Sequence, residues 1–235
     1  MHSSMTVALT FLREPLRTPV TLALLIVVPV LFIASAADAL SDFALALGGS
    51  LAGDAAIGLS AGWAAAFLAG ALGFFQASSS RTADRRLALA GKGVVRVAVS
   101  RLAASVLLAL LASTAAFATL AVRVNLAHPF HAAVGITAFA VIYLGIGIAI
   151  GSLLTAPLEG SLLVVFVFLL DIFAGPGMTD TTKPWAISHE AAETLIAAGA
   201  GNNASTPNWI RLGMFVVASL ALAVGVFALS ARSRT

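Results

Sequence analysis

Apolar residues gather along this chain in six blocks, at about 18–37, 58–77, 102–122, 133–154, 158–174 and 209–230. Each block approaches the roughly 20 helical residues that cross a bilayer. The pattern predicts an all-α integral membrane protein of six transmembrane helices, with residues 1–235 forming a single transmembrane domain. The fifth block is at the short limit, and Asp171 sits near its end. The segment after it, Gly175 to Asn208, carries three prolines and several glycines, and within it Ser188–Ala198 reads SHEAAETLIAA. Ser188 is placed to cap a helix there, Glu190 suits its positive N-terminal end, and Ala191, Ala192, Leu195 and Ile196 share one face. A short span followed by an amphipathic helix predicts a reentrant segment dipping into the outer leaflet. Backbone at that depth is tolerated only against protein or a wet cavity.

Composition sharpens the class. The chain is 60% hydrophobic and only 10% charged, with a mean hydropathy of +1.03, against about 45–50% and about 25% in soluble domains. It has no cysteine, so disulfides and thiolate chemistry are excluded. A sequence pI near 10.2 would point to nucleic acid in a soluble chain; here the retention of Lys and Arg on the cytoplasmic side explains it. With both termini inside, ten basic residues fall inside and three (Arg123, Lys183 and Arg211) outside. The reverse orientation would invert that ratio. A first outer loop with Asp38, Asp42 and Asp54 and no cation agrees. The expected location is therefore the plasma membrane, multi-pass, with both termini cytoplasmic. Arg13, Arg17, the apolar run from Val20 and Ala34-Ser35-Ala36 imitate a cleavable signal, but the spans that follow make a first transmembrane helix the simpler account.

Motifs that resemble chemistry mostly dissolve. GLSAG at 58–62 fits a serine-nucleophile pattern, yet it opens an apolar helix, where small residues serve close packing. In LALAGKG at 87–93, a phosphate loop would need glycine where Arg86 stands and Ser or Thr where Gly93 stands. GIGIAIG at 145–151 lies inside a span, and Gly147 and Gly151 there read as a small-xxx-small contact. His128 and His131 in HPFH have no acidic or cysteine neighbour, so no metal site is expected. Asp171 and Gln76 stand apart, because polar groups at membrane depth are costly and tend to be functional. They are the candidates for a translocation path, with capping of the reentrant helix, or a headgroup position, as the structural reading of Asp171. Gln76, followed by three serines, also suits the cytoplasmic membrane edge.

One segment concentrates charge. SSSRTADRRLALAGKGVVRVAVSR, residues 78–101, holds six of the thirteen Lys and Arg residues. Topology and anionic lipid explain the sign of that charge but not its arrangement. Arg81, Arg85 and Arg86 extend the second span, an apolar strip broken by Gly91 and Gly93 follows, and Arg96 and Arg101 lead into the third. Helix, glycine-broken turn and helix make a protruding knob suited to docking a partner protein. Nucleic acid is not an expected partner, since aromatic interleaving is missing.

The chain resembles the permease subunits of type-2 ABC transporters, mostly exporters, over nearly its whole length. The resemblance rests on MTVALTFLREPLRTP before the first span, RRLALAGKGVVRVAVSRLAAS between spans two and three, GSLLTAPLEGSLLVVF between four and five, and KPWAISHEAAETL before the last. It implies an N-terminal amphipathic elbow helix along the membrane surface. It also implies a coupling helix at Arg85–Arg96, so that Arg81, Arg85, Arg86, Leu87, Leu89, Gly91, Lys92, Gly93 and Arg96 would dock a separate cytoplasmic ABC-type ATPase. ATP and Mg would be used by that partner, with no cofactor bound by this chain, and two permease copies, identical or not, would form the working unit. The short first outer loop departs from members with a large external domain. The implied function is a non-enzymatic, membrane-lipid-embedded export subunit. Two other classes stand beside it: a secondary, ion-coupled transporter, which would place ionisable groups in several spans, and a membrane-embedded enzyme or scaffold, which would need a polar constellation that the sequence lacks.

Overall fold

The computed structural model describes residues 19–87, 94–154, 156–179, 185–199 and 208–232. Those residues form helices α1 (Pro19–Ala46), α2 (Gly53–Leu87), α3 (Val94–Arg123), α4 (Pro129–Leu153), α5 (Pro157–Ala174), α6 (His189–Gly199) and α7 (Trp209–Arg232). All but α6 are long and apolar enough to cross a membrane, and the chain is a multi-pass, all-helical membrane protein. The expected elbow helix lies outside the described residues.

Helix ends follow backbone chemistry more closely than the apolar blocks do. Pro129 and Pro157 sit at the first helical positions of α4 and α5, where a missing N–H costs nothing. Helix α1 continues through Asp38 and Asp42 to Ala46, so these two acids are not in a loop. Asp54 is in the first turn of α2, where the helix dipole favours an acid. The connection between α1 and α2 is therefore only residues 47–52.

Helices α2 and α4 form the centre, with most of their span residues buried. Phe139, Tyr143, Leu144, Trp63 and Leu59 fill the core between them. Their axes approach through glycine. A Cβ on Gly147 would strike the carbonyl of Gly70, one on Gly151 would lie 2.6 Å from the Phe74 oxygen, and one on Gly73 would lie 2.7 Å from the Leu144 oxygen. The expected small-xxx-small contact at Gly147 and Gly151 is present, and its partner surface is α2. Helices α1, α5 and α7 lie outside this pair and expose Leu31, Phe166 and Val217, as lipid-facing helices must in a bilayer.

We call the end where α2 and α4 begin the head end, and the opposite one the tail end. A backbone strap closes the head end: the N–H groups of Ser50 and Leu51 both donate to the Gly177 carbonyl (2.9 and 3.0 Å). Gly48 and Thr179 form an isolated antiparallel bridge. Gly177 has φ +77°, which glycine adopts without strain.

Candidate functional site

Helix α6 is the short amphipathic helix expected from SHEAAETLIAA: His189, Glu193, Ile196 and Gly199 share its more open face. Glu190, Ala191, Ala192, Thr194, Leu195, Ala197 and Ala198 are all buried, so α6 is packed on several sides. Leu195 is its one bulky apolar anchor in the core. The Leu195 side chain fills a socket where Cβ atoms on Gly62 and Gly135 would lie 2.6 and 2.8 Å from it, with the Phe139 ring at its edge. At the top of α6, the His128 N–H donates to the Ala198 carbonyl (3.0 Å), tying it to the start of α4.

The foot of α6 lies deep. Ser188 N–H donates to Asp171 Oδ1 (3.2 Å), and Tyr143 O–H donates to Asp171 Oδ2 (2.8 Å). Tyr143 lies about 21 Å along α4 from Pro129, and Asp171 about 21 Å along α5 from Pro157, at about 1.5 Å per residue. Asp171 is 4% exposed. Phe168, one turn below it, stands edge-on to the Tyr143 ring at 5.8 Å and packs on Phe67 at 5.3 Å. One carboxyl thus joins α4, α5 and the first residue of the α6 turn.

This corrects the capping expected of Ser188. Its backbone carbonyl accepts from Ala192 N–H (2.9 Å), but its hydroxyl is buried without a partner. The acceptor that reaches back to the cap N–H, normally a Glu or Gln three residues on, is supplied by Asp171 from another helix. Glu190 lies in the first turn of α6, as read, and its carboxylate also meets the Arg211 guanidinium at 3.0 Å, with side chains 9% and 38% exposed. That pair ties α6 to α7.

Gln76 is elsewhere. It lies about two turns nearer the tail end than the α2 residues facing Tyr143, since Gly70 packs on Tyr143 and the Phe74–Ala77 turn packs on Gly151. Its Oε1 accepts from Ser105 Oγ on α3. Arg101 and Phe227 join these two around a small cleft at the tail end. Asp171 lines no part of that cleft. The two residues expected to share a path are separated, and Asp171 is engaged in holding helices together.

In the docking segment, α2 carries Arg81, Arg85, Arg86 and Leu87, and α3 carries Arg96, as continuous helix. Leu89, Gly91, Lys92 and Gly93 lie outside the described residues. With 35 residues, α2 is about 52 Å long, well beyond the roughly 30 Å of a hydrocarbon core. Its Phe74–Ala77 turn packs on Gly151, two residues before α4 ends at Leu153, so its last two turns continue past the end of α4.

The other motifs are structural here. Ser60 of GLSAG is fully buried and donates to the Ile57 carbonyl (2.7 Å). His131 stacks between His128 (centroids 5.1 Å) and Trp209 (5.2 Å). Among the described residues no group of three potential metal ligands occurs.

Protein-family models and curated proteins were compared with the chain, and none matches it.

The sequence reading singled out Asp171 but missed its partners. Tyr143, the sole tyrosine of the chain, was the available signal: a buried phenol in an apolar span needs an acceptor.

Proposed function

We propose that this protein is the membrane-spanning subunit of an ATP-driven exporter, docking a separate cytoplasmic ATPase through the connection between α2 and α3. The observation that carries this reading is the overlength of α2. It continues as helix to Leu87, about two turns beyond the level at which α4 ends, and those turns carry Arg81, Arg85 and Arg86 in sequence. The sequence offers no phosphate loop of its own, so force would come from a partner. The reentrant α6 between spans five and six agrees with the same resemblance. In this reading the tail end and both termini are cytoplasmic, two copies of the permease assemble, and ATP and Mg bind the partner.

The test is co-purification with an ABC-type ATPase, sought first among the genes adjacent to this one. The triple variant Arg85→Glu, Arg86→Glu and Lys92→Glu is expected to insert in the membrane but lose the ATPase. A triple variant that still binds and stimulates the ATPase refutes the docking assignment.

A second reading has one observation in its favour. A buried carboxyl within a span, such as Asp171, is the kind of group an ion-coupled carrier uses. In that case uptake or efflux would follow an imposed ion gradient in vesicles lacking any ATPase, whereas the exporter reading expects none.

A further inference from the structure

We propose that the tail-end cleft between α2, α3 and α7 binds the phosphate of one anionic phospholipid, with Arg101 as the residue that holds it. The cleft and the charge around it carry this assignment, which holds whether or not the chain is a permease.

The cleft has a polar side and an apolar side. Gln76 of α2 with Arg101 and Ser105 of α3 form the first, and Leu102, Ile148 and Phe227 line the second. Ser105 Oγ organises the polar side: it donates to Gln76 Oε1 and lies 3.0 Å from the Arg101 carbonyl, one turn back along α3. The Gln76 amide thereby turns its oxygen to α3, and its nitrogen is a donor, as is the half-buried Arg101 guanidinium. Two donors of this kind complement a phosphate oxygen, which arginine holds through a planar fork. Among the described residues that line the cleft none is acidic. The space inside is about that of one water, so it suits a single phosphate oxygen with the rest of the headgroup at the mouth.

The cleft sits where the spans give way to charge. Outward from Gln76, Arg101 and Phe227, the next cation along each helix is five residues on, at Arg81, Arg96 and Arg232, or about 7.5 Å of helix. Inward, α3 has no charged residue from Leu102 to Val122. Arg101 is thus the innermost cation of this end on α3, at the depth where headgroup phosphates meet hydrocarbon. The chain's own acids are too few to balance the charge here. On this side of the spans the sequence places ten Lys and Arg against three acids, Glu14, Asp84 and Glu159. An anion from outside the chain restores the balance, and basic pockets between transmembrane helices hold anionic headgroups in this way. The apolar wall of Leu102, Ile148 and Phe227 favours a lipid over free phosphate, because the lipid brings glycerol and acyl carbons to cover it. A zwitterionic lipid carries its own ammonium beside the phosphate and competes less well.

The purified chain in detergent is titrated with phosphatidylglycerol, with phosphatidylcholine and, separately, with inorganic phosphate. Thermal unfolding reports binding, and native mass spectrometry counts the lipids retained. Phosphatidylglycerol is expected to raise the melting temperature by several degrees, as a ligand of the folded state does, with one lipid retained per chain. Phosphatidylcholine and inorganic phosphate should shift it much less. Arg101→Gln, close in size, is expected to weaken phosphatidylglycerol about tenfold, the loss of one charge-assisted contact. Arg232→Gln removes the same charge farther out and should bind like the parent. Arg101→Lys keeps the charge but not the fork and should fall between. Unchanged affinity in Arg101→Gln overturns the site. Equal losses in Arg101→Gln and Arg232→Gln overturn it in favour of diffuse surface charge, and an equal response to inorganic phosphate overturns the lipid as its source. If Arg101→Gln does not fold, parent affinity in Arg101→Lys overturns Arg101 as the residue that holds the phosphate.

Discussion

The backbone of Gly147 rests against the carbonyl of Gly70, with no side chain between the two helices. Without a hydrophobic drive between helices in lipid, association depends on van der Waals contact and on backbones that come close. The atoms that a new side chain would meet are backbone, which cannot move aside as a flexible side chain could. We therefore expect Gly147→Leu to separate α2 from α4 at a cost of about 3 kcal/mol, the upper part of the usual range for overpacking. Gly213→Ala on α7 is the control, because a Cβ there meets nothing. It should be neutral or stabilise by about 0.5–1 kcal/mol through helix propensity. Thermal unfolding in detergent, followed by circular dichroism, measures both.

The ion pair between Glu190 and Arg211 is asymmetric, with the carboxylate side nearly buried and the guanidinium partly in solvent. Removing the exposed partner should therefore hurt more than the exposure of arginine implies, since it leaves a charge in a dry place. Arg211→Ala is expected to cost about 1–3 kcal/mol, the penalty for an unsatisfied buried polar group. Glu190→Gln should cost less, and the double variant should recover part of the loss. A thermal-shift double-mutant cycle reads the coupling; equal effects of both single changes would refute the asymmetry.

Ser105 Oγ donates to Gln76 Oε1, joining α3 to α2 near the tail end. Ser105 is 1% exposed, so Ser105→Ala removes a donor in a place that water reaches poorly. The expected cost is about 1 kcal/mol. Gln76→Leu with Ser105→Ala replaces both polar groups and should restore most of it. Urea or thermal melts separate a structural bond from a path-lining role, for which Ser105→Ala alone would leave stability intact and alter transport.

The chain's spans were legible because apolar length alone decides which segments cross a bilayer. Their ends were less so, because a helix ladder runs on through polar residues: α1 passes Asp38 and Asp42, and α2 passes three serines and three arginines before Leu87. Prolines and glycines mark several true ends, at Pro129, Pro157 and Gly175. The helix in SHEAAETLIAA was visible, but the width of its buried face, which takes in Glu190, Thr194, Ala197 and Ala198 as well, was not, since alanine suits both a narrow face and a broad one. Asp171 drew notice by its cost at depth. That it binds Tyr143, 28 residues away, and Ser188, 17 residues away, depends on how α4, α5 and α6 meet, which no local pattern encodes.

Orientation follows from charge and is directly measurable. The end of α2, the start of α3 and the connection between them carry Arg81, Arg85, Arg86, Lys92, Arg96 and Arg101, while Arg123, Lys183 and Arg211 fall in the sequence on the other side of the spans. Lys and Arg in short loops are retained on the cytoplasmic side, so the tail end should face the cytoplasm. Ser79 is exposed at the tail end and Leu47 at the head end, and no native cysteine competes for label. In intact cells an impermeant maleimide should modify Leu47→Cys and spare Ser79→Cys until the membrane is opened. The reverse pattern would put the arginine-rich end of α2 outside. It would remove any cytoplasmic ATPase from its reach, and with it the proposed source of force.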